Sequence, residues 1–402
     1  MNRHHTGILF GGVLLLVVAM GISRFAFTPI LPYMRNDIGF SLEIAGYLAS
    51  SNYIGYFIGA LWAGFIYKRK KTILLISVFS NVLSVILMGI IEIYSVWLVL
   101  RLFAGITGGL IFVLTSSIIM DYLAAHFLTR WSGYLFSGIG LGIAISGLLV
   151  PYFEESFAWQ GAWLGLGFLS VLFVLITFTL WRGLQVNDGI KLQKTSDQKL
   201  SKGFMPWLIA AYGFEGLGYI ITGTFLVDIL HNIPTLQAYS SYSWVIVGIA
   251  AIPSAPVWTI LIEKFSPVKI LTVAYILQVF GIILPTVSQS VWAVLLSSSL
   301  FGLTFVGIVT LTTAYARQLF PKQSGSVVSV LTTAYALGQI IGPIIAGKLA
   351  AYYNSYKAAL IFAGSIVFLA LVIMLVGRWK TTHILEESEH LEAIEQPDLT
   401  TS

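Results

Sequence analysis

Cysteine is absent, and the four charged residue types together make up only 10% of this 402-residue chain. The first absence excludes disulfides, thiolate metal sites and a cysteine nucleophile. The second excludes an ordinary soluble fold, where about 25% of residues are charged, because a 57% hydrophobic content cannot hide behind so few charges. The six histidines (His4, His5, His126, His231, His383 and His390) lie outside the apolar runs or near their ends, without metal-ligand spacing. No Ser/His/Asp set assembles at depth. No P-loop is present, which argues against an ATP-driven pump. Gly138-x-Gly140-x-Gly142 lacks the preceding strand a dinucleotide fingerprint needs. Neither an enzyme nor a bound cofactor or metal is expected.

What is present is a series of roughly twelve apolar stretches of ~20 residues, the length that crosses the ~30 Å hydrocarbon core of a bilayer. The mean hydropathy is +0.88. In lipid only helices and closed barrels pair all their backbone groups. Barrel strands alternate over short segments, whereas runs such as Ile8 to Met20 and Ala162 to Trp181 are continuous. The pattern predicts an all-α polytopic membrane protein. Its spans 1 to 6 are expected at 7–33, 43–66, 72–92, 95–120, 130–152 and 160–181, and spans 7 to 12 at 204–227, 240–262, 268–287, 291–316, 325–348 and 356–377. The first span reads as a retained helix rather than a signal peptide, since no small-residue cleavage site interrupts it. Between the sixes lies a polar stretch, 182–203, which reads as a solvated linker. The domains are therefore 1–181, the linker 182–203, a second bundle 204–378, and an acidic tail 379–402 with Glu386, Glu387, Glu389, Glu392, Glu395 and Asp398, expected to be disordered.

Loop charges set the orientation. With the N-terminus in the cytoplasm, the inward segments hold Arg3, Lys68, Arg69, Lys70, Lys71, Arg130, Arg182, Lys191, Lys194, Lys199, Lys202, Lys264, Lys269, Arg317, Lys322, Arg378 and Lys380. The outward loops hold Arg35 and Lys357, a bias of 17 to 2. The net charge of +5 then reflects loops beside anionic lipid rather than nucleic-acid binding.

The halves echo each other. Gly138, Gly142 and Gly147 on span 5 recur as Gly338, Gly342 and Gly347 on span 11, each shifted by 200 positions. Small residues at such spacing let helix backbones pack closely in lipid. Thr28-Pro29-Ile30-Leu31 on span 1 is answered by Gly223-Thr224-Phe225-Leu226 on span 7. Two six-helix halves joined by a basic linker form a transporter layout, with a midplane site between the halves.

On these residues the chain resembles the major facilitator superfamily over 7–378. Arg101-Leu-Phe-Ala-Gly105-Ile-Thr-Gly-Gly109 looks like its R-x-x-x-G motif on span 4. Gly64-Phe-Ile-Tyr-Lys68-Arg69-Lys70-Lys71 sits where its span 2–3 loop motif belongs, without the usual acidic residue and second glycine. Gly338-Gln-Ile-Ile-Gly342-Pro343-Ile-Ile-Ala-Gly347 looks like the glycine–proline motif of proton antiporters, displaced to span 11; on span 5 the proline position is Ile143. Gly21-Ile-Ser-Arg24-Phe25-Ala-Phe27-Thr28-Pro29 and Glu215-Gly-Leu-Gly-Tyr219-Ile-Ile-Thr222 are similar to spans 1 and 7 of the bacterial YbfB/YjiJ-like subfamily. The resemblance implies a fold of twelve transmembrane helices in two pseudo-symmetric bundles, and a part for Arg101 in assisting proton transfer or holding span 4.

Charges inside a membrane are costly and usually face the bundle interior. Arg24 lies about 12 Å from its span's end at 1.5 Å per residue, beyond full reach for snorkelling, and is expected in a central cavity with a fork for a carboxylate or phosphate. Glu215 lies near the midplane of span 7, where ionising a carboxyl away from water is costly, and is the natural proton-binding group. Tyr212, Tyr219 and Thr222 share its helix face and are expected to bind substrate. The alternative for Glu215 is a structural hydrogen bond, and for Arg101 a packing role. Asn52, Tyr53, Tyr56, Gln278 and Gln339 are expected to make interhelical hydrogen bonds. Pairing Glu215 with Met20 in the echo predicts a direct Arg24–Glu215 interaction between the halves.

The expected function is secondary active transport of a small, anionic or carboxylate-bearing solute across the cytoplasmic membrane by alternating access, proton-coupled, acting as a monomer. The missing span 5 proline tilts the reading towards symport or import. A proton-driven efflux antiporter for lipophilic drugs suits the aromatic content of 14%. A non-transporting sensor of the same fold would carry a folded tail domain, for which 379–402 is too short.

Overall fold

The computed structural model describes residues 3–186, 203–320 and 324–395, with side chains described for 326–381 of the last segment. Among the described residues every regular element is a helix. Residues 187–202 of the expected linker and 396–402 of the expected tail lie outside the described residues.

The helices are α1 (Arg3–Leu16), α2 (Phe27–Ile38), α3 (Leu42–Ala63), α4 (Lys70–Met88), α5 (Tyr94–Ala125), α6 (Ser137–Leu180), α7 (Met205–His231), α8 (Ser240–Ala251), α9 (Ser254–Lys264), α10 (Pro267–Val287), α11 (Val291–Leu319), α12 (Ser324–Tyr353) and α13 (Lys357–Glu395). They form twelve spans. Span 1 is α1 plus α2, with a π-helical stretch at Val17–Ile22 between them. Span 8 is α8 plus α9, bent by 41° where Pro253 interrupts the ladder. Spans 5 and 6 run together as α6, which breaks at Phe157 and Ala158 (φ 55°). The chain doubles back there, so that Gly165 meets the Phe153 ring. Span 2, α3, carries the polar run Ser50, Ser51, Asn52 and Tyr53, followed by Tyr56.

Two expectations are corrected. Span 1 is not one helix. Span 5 opens as a 3-10 stretch, Thr129–Phe136, before α6 begins. The backbone of 379–395 runs on from the last span as part of α13; this stretch has neither Gly nor Pro and carries five Glu, which favour helix.

The glycine echo has a physical counterpart. On α6, Gly138 meets Val13 and Gly142 meets Gly21, both on span 1, while Gly147 meets Val245 of α8 in the other half. On α12, Gly338 meets Gly213 and Gly342 meets Leu217, both on α7, while Gly347 meets Leu42 of α3 in the other half. The first two glycines of each triplet thus hold a half together, and the third lets the halves touch. A Cβ would lie 2.6 Å from Gly21 Cα at Gly142, 2.8 Å from Val245 N at Gly147 and 2.7 Å from Leu42 O at Gly347. Gly105 and Gly109 of α5 likewise let α3 approach, at Asn52 and Tyr56.

Contacts between the halves concentrate towards the face opposite the termini. There α2 packs on α7, whereas α1 packs on α5 and α6 of its own half. Thr28 Oγ1 donates to Gly223 O (2.6 Å), Tyr53 OH pairs with Thr224 Oγ1 (3.0 Å), Ser50 Oγ donates to Ile340 O (2.7 Å) and Arg35 pairs with Asp228 (3.2 Å). Nearer the termini, Ser137 Oγ donates to Ile252 O (2.8 Å). Gly142→Ala would force α6 from span 1 and is expected to cost about 1–3 kcal/mol, the usual price of overpacking. Gly133→Ala, whose Cβ would meet only Pro256 at 3.9 Å, is the control; thermal unfolding of the two purified variants checks the difference.

Candidate functional site

The site is built on the break in span 1. From Val17 the ladder widens by one residue, with Ser23 N donating to Val18 O (2.9 Å) and Phe25 N to Met20 O (3.1 Å). Pro29 has no N–H to offer, and Thr28 N turns back to Phe25 O (3.2 Å). The carbonyls of Ser23 and Arg24 are left without their regular helical partners. Arg101 of α5 satisfies both: Nη1 donates to Ser23 O at 2.9 Å and Nη2 to Arg24 O at 3.4 Å. Its guanidinium also lies over the Phe27 ring, 4.7 Å from the centroid. Asn81 of α4 completes the brace, with Nδ2 donating to Ser23 Oγ (3.0 Å), Ala104 O (3.0 Å) and Thr107 Oγ1 (2.9 Å). Irregular backbone at membrane depth persists only where protein groups satisfy it; here Arg101 does so, while Asn81 ties the Ser23 side chain to α5.

Arg24 sits within the break. It is 4% exposed, and Nε, Nη1 and Nη2 have no hydrogen-bond partner. Its Cζ lies 4.3 Å from the Tyr56 ring centroid, 4.7 Å from Tyr53 and 5.2 Å from Phe25. Aromatic faces stabilise a cation but leave its N–H edges free. Phe25 reaches the other half, 6.4 Å from Trp244 and 6.1 Å from Phe305.

In the second half Glu215 is fully buried. Its Oε1 accepts from Gln278 Nε2 of α10 at 2.9 Å, and the Tyr335 hydroxyl also interacts with the carboxyl group. Around it stands a stack of rings: Tyr212 on Tyr335 (4.4 Å), Tyr335 on Tyr219 (5.4 Å) and Tyr219 on Phe305 (6.0 Å). Gln339 of α12 donates to the Tyr219 hydroxyl. Thr222 is buried with Oγ1 unpartnered.

The structure therefore gathers Tyr212, Glu215 and Tyr219 into one cluster and adds Gln278 and Tyr335. The expected Arg24–Glu215 contact does not form: among the described residues no ion pair joins them, and Tyr219 interacts electrostatically with both. The gapless echo assumed two continuous helices. The wide π-turn and the break turn Arg24 towards Tyr53 and Tyr56 of α3 instead of towards α7. Asn52, Tyr53, Gln278 and Gln339 do make interhelical bonds, Asn52 through Nδ2 to Arg101 O (3.0 Å). Sequence reasoning missed Asn81, Tyr335 and Asp228. Asparagine amid the apolar run of span 3 was a legible signal; Tyr335 looked like any of 19 tyrosines.

Comparison with known proteins agrees with this architecture. The chain belongs to the major facilitator superfamily, in the family described as uncharacterised MFS-type transporter YbfB, whose sequence profile matches residues 16–375. It is 24% identical over 316 residues to the multidrug resistance protein MdtG of Salmonella choleraesuis (strain SC-B67), covering 76% of this chain and 77% of that protein. It is 22% identical over 415 residues to the quinolone resistance protein NorA of Staphylococcus aureus (strain MRSA252), covering 98% of each. Among solved structures it is similar to the nucleoside transporter NupG (TM-score 0.68, 15% identity, 93% of this chain and 99% of that one). It is also similar to a bacterial homologue of the human lysosomal transporter Spinster, in an inward-facing and occupied conformation (TM-score 0.69, 14% identity, 94% and 97%). At such identities these two show the fold alone. The protein is a multi-pass membrane transporter of small molecules and not an enzyme.

Arg101→Gln removes the brace on Ser23 and Arg24. Leaving buried carbonyls unpaired costs about 1–3 kcal/mol each, so a matching fall in thermal stability is expected. Arg101→Lys recovers it only in part, since a single ammonium does not reproduce the planar fork.

Proposed function

We propose that the protein is a proton-coupled secondary transporter for a small carboxylate-bearing solute. Arg24 binds the anion, Glu215 carries the proton, and Arg101 is a positioning residue that holds the break in which Arg24 is presented. The two bundles, 1–181 and 204–378, rock about this layer. The charge bias of the loops favours both termini in the cytoplasm, which makes the face where the halves meet most closely the outer one of the cytoplasmic membrane. The chain acts as a monomer.

One observation carries the reading: a guanidinium 4% exposed with all three nitrogens unpartnered. A buried charge without partners is costly. A ligand carboxylate supplies a two-pronged acceptor for those N–H groups, so an anion gains more here than a neutral or cationic solute of the same size. Glu215 supports the coupling, being buried in apolar and tyrosine surroundings, held by the neutral groups of Gln278 and Tyr335 and, among the described residues, in no ion pair. Tyr212, Tyr219 and Thr222 line the path between the two groups in this reading.

A second reading, efflux of lipophilic compounds, is favoured by the aromatic cage around Arg24 and by the resistance proteins among the relatives. A thermal-shift screen of the purified protein against organic acids, amino acids and cationic drugs, run across pH, separates the two. The transport of acids predicts that acids raise the melting temperature, more strongly as pH falls because proton and anion bind together. Arg24→Gln is expected to abolish the shift and Glu215→Gln its pH dependence. Stabilisation by cationic drugs that survives in Arg24→Gln, with none by acids in the wild type, would overturn the proposal in favour of efflux.

A further inference from the structure

A second arrangement of charge lies at the face opposite the termini. Asp228, in the last turn of α7, is fully buried. Its Oδ1 accepts from Arg35 Nε (3.3 Å) and Nη2 (3.2 Å) of α2, and from Asn232 Nδ2 (3.2 Å). Its Oδ2 accepts from the Tyr356 hydroxyl. Arg35 Nη2 also donates to Asn232 Oδ1 at 3.0 Å. Both Arg35 bonds to Asp228 thus fall on one oxygen, because Tyr356 holds the other. The pair is not the parallel two-oxygen fork that gives the strongest Arg–carboxylate contact, and among the described residues Arg35 Nη1 has no hydrogen bond. Arg35 belongs to the first half and Asp228, Asn232 and Tyr356 to the second, so this cluster ties the halves together.

Beside it is a cavity of about 300 Å³, lined by Arg35, Asn232, Gln289, Ser355, Tyr356 and Lys357 among others, a volume that suits a small ligand. Arg35, in the last turn of α2, and Lys357, at the start of α13, both line it, whereas Lys348 near the same end of α12 does not. The same face carries Asp37, Glu92, Glu154 and Glu155, none of which lines it. The cavity brings two cations together, and among the described residues no acidic side chain lines it.

We propose that this cavity is an anion-binding vestibule, in which a carboxylate solute docks between Arg35 and Lys357 and takes Arg35 from Asp228, so that docking of the anion and parting of the halves are one event. A ligand shifts a conformational equilibrium only by its differential affinity for the two states. Here the difference is built in, since full use of the Arg35 fork requires its bonds to Asp228 to break. The inference rests on the reading that the substrate is anionic and that this face is the outer one.

The chain has no cysteine, so a single introduced thiol reports without background. Thr224, buried at 1% exposure and hydrogen-bonded across the halves to Tyr53, is a suitable position. In Thr224→Cys protein in nanodiscs, labelling by a charged maleimide is expected to be slow. Adding Arg35→Gln or Asp228→Asn should accelerate it by about 10-fold or more, the equivalent of 1.4 kcal/mol in the closing equilibrium. Benzoate is the anionic probe; it should accelerate labelling in the Thr224→Cys background, where sodium chloride of equal ionic strength does not. Lys357→Gln should raise the benzoate concentration needed for the same acceleration several-fold, and this measurement stands even if Arg35→Gln fails to fold. The benzoate response should persist in Arg24→Gln, where the central-site reading predicts loss of ligand-induced thermal stabilisation. Failure of the central reading alone would leave the labelling response intact. Labelling in Arg35→Gln no faster than in its parent, no response to benzoate, or a response lost with Arg24 but indifferent to Lys357, would each overturn the vestibule.

Discussion

The arrangement depends on one constraint: a backbone carbonyl at membrane depth must find a donor within the protein. Span 1 breaks between Ile22 and Phe27, and the break survives because Arg101 donates to the carbonyls of Ser23 and Arg24 while Asn81 ties Ser23 to α5. Without that brace, span 1 would gain more by winding into a regular helix, and Arg24 would point elsewhere. The motif arginine on α5 is therefore a structural donor first. Its effect on the site comes through the backbone it holds.

Among the described residues four charged side chains are buried: Arg24, Arg101, Glu215 and Asp228. They differ in how far their bonding capacity is used. Asp228 accepts from Arg35, Asn232 and Tyr356 and is fully occupied. Arg101 is committed to two carbonyls through Nη1 and Nη2, with Nε unpartnered. Glu215 is held by the neutral groups of Gln278 and Tyr335, and Arg24 has no bond at all. A buried ionic group with most of its bonds made holds structure together, and one with bonds to spare can take up a ligand. By that measure Arg24 has the most capacity to spare, while the Tyr212–Tyr335–Tyr219 stack stands beside Glu215.

The pseudo-symmetry is carried by glycine contacts. In each half two glycines bring the fifth span against the first, and a third brings it to the other half. Close backbone approach gives rigid packing within a bundle. Across the halves, polar contacts such as Thr28–Gly223 and Ser50–Ile340 supplement the close packing of α3 on α12 and of α6 on α8. A parting of the halves, as proposed, would have to break these hydrogen bonds, the Arg35–Asp228 pair and that backbone packing.

Much of this was legible in the residues alone. Span number, the two halves, the glycine echo and the three charges at depth all follow from hydropathy, because lipid tolerates only continuous apolar helices and penalises every buried charge. The partners of those charges were not legible. Which way Arg24 points depends on a π-turn, and that turn depends on Arg101 and Asn81, which lie about eighty and sixty residues away in sequence but close in space. Asp228 lies one residue past the expected end of span 7, and nothing in its own segment points to its partners Arg35, from the first half, and Tyr356, from the last span. Hydropathy is a property of one segment and can be read from it. The satisfaction of a buried polar group is a property of all the segments that meet it, and only the tertiary structure decides which those are.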